Sequence, residues 1–233
     1  MKRLCMLMLL TLVCLLASGA CADGEGVIVQ SSCSIAKSGD SYLVYCFAQV
    51  HNASQEAIAL DSGRLVLSSG DFIAADQRVG QMWPYYLAPG EDGYLFDVIS
   101  FDPTEDGPAQ IPSLTGLVYE NTYMPVDASH AGQSLPVDAF INVGSRGRAT
   151  IHCEIANTTP TEAYDVTLAV GVYTDAGQLI YADGRTLSDV GIPAGGRVLA
   201  RFDVDPLLVQ QWISYGATPA NVVATAMVRS GED

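Results

Sequence analysis

"NASQEAIALDSGRLVLSSGDFI" at residues 52–73 and "NTTPTEAYDVTLAVGVYTDAGQLI" at residues 157–180 share one plan. Each opens on Asn-x-Ser/Thr and rises through an acidic, alanine-containing segment into alternating apolar residues. Each then turns at a glycine and closes on an apolar pair. Alternation with period two, bounded by Gly, Ser and Asp, is the pattern of a half-buried β-strand. Its recurrence within one chain points to a duplicated unit.

Strand patterns continue on either side of these stretches. Segments 27–36, 42–51, 58–67, 94–101 and 114–124 are rich in Val, Ile, Leu, Tyr and Phe, and Ser38-Gly39-Asp40, Ser68-Ser69-Gly70 and Ala88-Pro89-Gly90-Glu91 punctuate them. The second half repeats the order with 137–143, 148–156, 164–173, 179–181, 197–204 and 221–229. "LAPGEDGYLFDV" (87–98) and "IPAGGRVLARFDV" (192–204) both send a Pro/Gly turn into a strand ending Phe-Asp-Val. The distances from Asn52 to Phe96 and from Asn157 to Phe202 are 44 and 45 positions. Short strands with frequent turns favour antiparallel sandwiches over βαβ units.

The expected fold is therefore all-β: two tandem immunoglobulin-like antiparallel β-sandwiches, over 23–127 and 137–233. The small, polar segment 128–136 ("ASHAGQSLP") reads as a linker. One helix is expected at 206–215 ("PLLVQQWISY"), where Pro206 opens it, Leu207, Leu208, Trp212 and Tyr215 recur near helical period, and Gly216 stops it.

Residues 157–204 resemble the FxLYD-type immunoglobulin-like domains of bacterial surface and secreted proteins. That family's pattern is an Asn-led loop, alternating apolar strands, a Tyr-Asp-x-x-Gly turn, and a Pro/Gly turn before a Phe strand. Here Tyr173-Thr174-Asp175-Ala176-Gly177 carries one extra residue between Tyr and Asp, and the first half follows the pattern only loosely. The resemblance implies a fold and an extracytoplasmic setting, and it brings no catalytic residues with it.

Location reads from the N-terminus. Lys2 and Arg3 precede an apolar run over 4–16 and the small-residue exit "ASGACADGEG", which together form a secretory signal over 1–22. The run falls short of the roughly 20 residues a membrane-spanning helix needs. Two readings of the exit stay open. Ala20-Cys21-Ala22 can be cleaved before Asp23, or Cys21 can be the lipid-bearing residue of a lipobox whose branched residue at minus three is replaced by Ser18. Losing 1–22 lowers Lys plus Arg from 11 to 9 against 26 acidic residues, a formal charge of −17. Such a surface repels phosphate backbones and anionic lipid heads, so nucleic acid and unaided membrane are poor partners.

Cys33, Cys46 and Cys153 remain beyond the signal and Cys21. With Gly39-Asp40 as a two-residue hairpin turn, residues whose numbers sum to 79 face one another, and Cys33 meets Cys46. That places them within disulfide reach on a non-hydrogen-bonded rung, and an oxidising compartment favours the bond. The alternative is that both are small buried hydrophobes. Cys153 has no partner in this scheme and reads as a buried thiol.

Catalytic patterns are scarce. His51, His130 and His152 are widely spaced, and neither His-x-x-x-His nor Cys-x-x-Cys occurs. No metal ligand set and no cofactor is expected. The acidic loop 102–107 lacks EF-hand spacing. There is no Gly-x-Ser-x-Gly elbow or phosphate-cradling glycine loop, and Ser129-His130 lies in the expected linker. The chain is read as not an enzyme. Asn52-Ala53-Ser54 and Asn157-Thr158-Thr159 match glycosylation acceptors in a glycosylating host and otherwise serve as loop formers.

One stretch could form a binding surface: "GQMWPYYLAPG" (80–90), where Trp83, Tyr85 and Tyr86 surround Pro84. Aromatic residues on a loop stack on sugars or anchor a protein partner. Alternatively, Trp83 plugs the first sandwich while its neighbours cover the seam. The expected function is a non-catalytic extracytoplasmic interaction or structural module with an unknown protein or glycan partner. The alternative is a carbohydrate- or peptide-binding protein using Trp83, Tyr85 and Tyr86.

Overall fold

The computed structural model describes residues 27–102, 114, 116–127, 132–144 and 147–228. The signal region with Cys21, Ser129-His130 and most of the acidic loop at 102–107 lie outside these residues. Among the described residues, fourteen strands and one helix follow in order: β1 (Val27–Ser38), β2 (Ser41–Asn52), β3 (Ala57–Ser69), β4 (Phe72–Arg78), β5 (Tyr86–Leu87), β6 (Asp92–Phe101), β7 (Gly116–Val126), β8 (Gln133–Leu135), β9 (Val137–Gly144), β10 (Arg148–Ala156), β11 (Val166–Thr174), β12 (Leu179–Leu187), β13 (Arg197–Val204), α1 (Pro206–Tyr215) and β14 (Pro219–Val228). All pairings between the strands are antiparallel, and the all-β sandwich fold is as expected.

Each half forms two facing sheets. In the first, β1-β2-β6 packs against a sheet built on β3 with β4, β5 and β7; in the second, β9-β10-β13 packs against β12-β11-β14-β8. The connectivity repeats, with β1, β2, β3, β4, β6 and β7 answering to β9, β10, β11, β12, β13 and β14. The hairpin register is the expected one, with every β1–β2 pair summing to 79 and Cys33 opposite Cys46. The helix also lies at 206–215. Asp205 caps it by accepting from the Leu207 N–H, and Gly216 ends it at φ 68°.

Three expectations need correction. The segment 128–136 is not wholly a linker, because Gln133–Leu135 forms β8 on β14 and buries Leu135 in the core. β4 was not foreseen: its apolar Ile73 points outward, so the edge strand shows no clean alternation. The shared Phe-Asp-Val is one residue out of structural register. Asn52 and Asn157 begin equivalent corners, and six residues before them Cys46 pairs with Asp97 while Ile151 pairs with Phe202. Phe202 therefore lies in its own sandwich core, while Phe96 turns to the opposite face and packs at the seam. A one-residue slip in a strand always exchanges faces.

The corners explain the Asn-x-Ser/Thr pairs. Asn52 Nδ2 donates to the carbonyls of Glu56 and Leu87, and Asn157 Nδ2 to those of Thr161 and Ile192. The Asn52 side-chain oxygen accepts from the N–H and hydroxyl of Ser54, and that of Asn157 from those of Thr159. Both asparagines are buried. Each fastens the end of one sheet to the turn before the next strand, with its amide hydrogens committed.

The halves do not hang as beads on a linker. The β1-β2-β6 sheet packs on β3's sheet with one face and on the β11 sheet with the other, giving four stacked layers. Tyr45, Phe47 and Tyr94 of the first half join the core of the second. Tyr45 donates to Asp205 (2.7 Å), Ser32 to the Leu179 carbonyl (2.6 Å), and Tyr94 and Tyr173 share a hydroxyl contact (3.1 Å). Close approach rests on two glycines: a Cβ at Gly171 would overlap the Tyr94 ring, and one at Gly184 the Trp83 indole.

Candidate functional site

Where the two sandwiches meet, a cleft of 840 Å³ opens beside the aromatic loop. β3 contributes Ala59–Gly63 to one wall, and Arg78–Met82, Pro84, Tyr85 and Tyr86 form the rim. The second sandwich supplies Asp165, Thr167, Thr186, Ser188 and Met227. The volume falls within the range of small-ligand sites. Its lining alternates aromatic and thioether surface with hydroxyls, an amide and three charged side chains.

Of the three aromatic residues expected to contact ligand, the structure brings two to the cleft. Tyr86 is held on β5 by pairing with Ala59. Tyr85 is 43% exposed and leans on the Trp83 ring, with centroids 5.0 Å apart and planes at 37°. Trp83 does not line the cleft. Its backbone exchanges hydrogen bonds with Tyr94 (2.8 and 2.6 Å), and its indole sits against Gly184 across the seam. Trp83 thus supports the loop from behind, while the exposed ring is Tyr85. The Trp83–Pro84 peptide is cis.

Thr167 was not singled out from the sequence. It lines the cleft from β11 and is 9% exposed. A hydroxyl in a cleft wall can donate to and accept from a ligand or water. Asp165, at the entrance to β11, adopts φ 49°, a left-handed conformation uncommon outside glycine. Asp61 accepts from the Thr122 hydroxyl at 3.2 Å, so its carboxylate is held at the opposite wall. Only the stacking of the two halves could assemble this set, since its members lie far apart along the chain.

The other singled-out residues are dispersed. His51 pairs with Asp92 at 2.9 Å, and His152 stacks on Phe140 with ring centroids 5.0 Å apart on an outer face. Among the described residues, no group of three or more His, Cys, Asp or Glu is placed to hold a metal ion. Cys33 lies directly opposite Cys46 in the first sandwich. Cys153 is fully buried in the second, and burial pushes its thiol up to about 11.

No protein-family model matches the chain, and no curated protein does. Among solved structures, red sea bream transglutaminase aligns at 11% identity over 76% of this chain and 27% of its own, with a TM-score of 0.24. A calcium-binding mutant of Bacteroides uniformis β-glucuronidase 2 aligns at 16% identity over 70% and 22%, with 0.22. A β-glucuronidase from glycoside hydrolase family 2 aligns at 12% over 80% and 20%, with 0.20. This chain spans roughly a quarter or less of those proteins' lengths, and at such scores the likeness says nothing of activity.

Proposed function

We propose that this protein is a non-catalytic, extracytoplasmic interaction module, and that its ligand seat is the cleft between the two sandwiches. The observation that carries the reading is the convergence at one 840 Å³ opening of Tyr85, Tyr86 and Thr167, drawn from both halves. The secretory signal at 1–22, with release before Asp23 or anchoring at Cys21, supports the location. The resemblance of 157–204 to FxLYD-type domains agrees with both location and role.

A carbohydrate is the ligand class that fits the lining best. A pyranose presents an apolar face to an aromatic ring and a rim of hydroxyls to polar groups. Here Tyr85 offers a ring, Gln81, Thr167, Thr186 and Ser188 offer neutral partners, and Asp61 and Asp165 accept from sugar hydroxyls. Anionic polymers are disfavoured by the acidic surface.

The test is a glycan array followed by calorimetric titration of the best ligand. Tyr85→Ala should weaken binding at least about tenfold, as loss of a stacking anchor does, with an unchanged circular dichroism spectrum. Thr167→Val should weaken it without disturbing the loop. Absence of any glycan signal for the wild type would remove the carbohydrate reading, and a peptide-library signal sensitive to Tyr85→Ala would replace it with the peptide one.

A further inference from the structure

The duplication supplies its own control for the first sandwich. In the second, the core-facing row across β9, β10 and β13 reads Ile141, Ile151, Phe202. The equivalent row across β1, β2 and β6 reads Cys33, Cys46, Asp97. The same architecture is thus complete with three apolar side chains, and nothing in the fold calls for two thiols and a carboxyl there. A carboxylate among apolar neighbours is destabilising unless it is paired. Asp97 Oδ2 is nonetheless buried without a hydrogen-bond partner, as is the Tyr119 hydroxyl from the facing sheet. Cys33 and Asp97 are the cross-strand partners of Cys46 on its two sides, and negative charge on either, after burial, raises the Cys46 thiol further.

We propose that this row is a thiol–disulfide site, in which Cys33 and Cys46 join across β1 and β2 while Asp97 takes the proton that Cys46 must lose. The two sulfurs have unequal access. Cys33 is half-buried on an edge strand, and Cys46 is fully enclosed. A small disulfide oxidant therefore meets Cys33 first. The Cys33 thiolate attacks one oxidant sulfur and expels the other as a thiolate, leaving a mixed disulfide. Cys46 passes its proton to the Asp97 carboxylate, attacks the Cys33 sulfur, and expels the second oxidant thiolate. Two S–H bonds are lost, one S–S bond forms, and the two electrons reduce the oxidant disulfide to two thiols. Burial holds the Cys46 thiol well above its usual range, so the second step lacks a thiolate unless a base stands beside it.

The experiment uses the mature chain, reduced and then exposed to oxidised glutathione, with timed acid quench and non-reducing peptide mapping. The expected product links the Cys33 and Cys46 peptides and is lighter than the dithiol by two hydrogens, while Cys153 alkylates only after unfolding. Cys46→Ser should stop at a stable glutathione adduct on Cys33. Asp97→Asn should leave adduct formation unchanged and slow ring closure about tenfold or more. Persistence of both thiols, or of the adduct in the wild type, overturns the site. Closure at an unchanged rate in Asp97→Asn overturns the role of Asp97. Should that variant fail to fold, Asp97→Ser is read in the same way.

Discussion

Replacing Asn157 with Ala tests whether the corner motif, rather than a sugar, accounts for the Asn-x-Thr sequence. Asn157 donates at 2.8 and 2.7 Å to the carbonyls of Thr161 and Ile192, and accepts at 2.9 and 2.7 Å from the N–H and hydroxyl of Thr159. Both carbonyls keep one other partner after truncation: Thr161 from the Thr159 hydroxyl and Ile192 from the Ala163 N–H. The buried Thr159 N–H keeps none among the described residues. One orphaned buried donor is worth about 1–3 kcal/mol, and each of the remaining lost bonds about 0.5–1.5 net. The expected loss is about 3–5 kcal/mol, a fall in melting temperature on the order of 10 °C for a chain this long. Thermal and urea denaturation followed by circular dichroism would measure it. Asn52→Ala should cost a similar amount, because its four bonds match one for one. A melting temperature within about 2 °C of wild type for both variants would refute the claim that these asparagines fasten the sheets. Expression in a glycosylating host should leave the mass at both sites unmodified.

Three further outcomes are expected. Gly184→Val should push Trp83 from the seam, red-shift its fluorescence and lower stability by about 1–3 kcal/mol, as overpacking does; unshifted emission would show the seam to be looser than described. Burial raises the Asp97 carboxyl to about 6 from the usual 3.8, so the folded state binds that proton more tightly than the unfolded chain. Its contribution is complete below about pH 4 and is lost as pH rises through 6. The ceiling is about 3 kcal/mol, and screening of this half-buried group brings the expectation nearer 1. Urea titrations of Asp97→Asn should show a flatter profile than wild type over that window, and parallel profiles would count against a strained carboxylate. Tyr45→Phe should cost about 1–2 kcal/mol by removing the donor to Asp205 across the seam; no loss in urea denaturation would assign the seam's strength to packing alone.

Much of the strand order was legible because its causes are local. The Gly39-Asp40 turn fixes the β1–β2 register for the whole hairpin, and Asp205, Pro206 and Gly216 bound the helix through groups within a few residues of each other. The cleft was only partly legible: the aromatic loop was visible as a surface, but Thr167, Thr186 and Ser188 reach it from the other half. The near-unbroken apolar runs at Val44–Ala48 and Val166–Tyr173, buried throughout, are the signal that could have shown both strands to be covered on two sides. They do not say by what.

The sequence by itself determined an all-β chain with two copies of one strand plan, since alternation and turn chemistry act between near neighbours. Only the tertiary structure decided that the copies stack into four layers. It also placed Trp83 behind the cleft rather than on it, set Phe96 and Phe202 on opposite faces, and gave Asp97 the place that Phe202 fills in the second copy. A strand apolar on both faces can satisfy either partner, so its environment is settled by which surfaces meet at Gly171 and Gly184, where the missing side chains let the two sheets close.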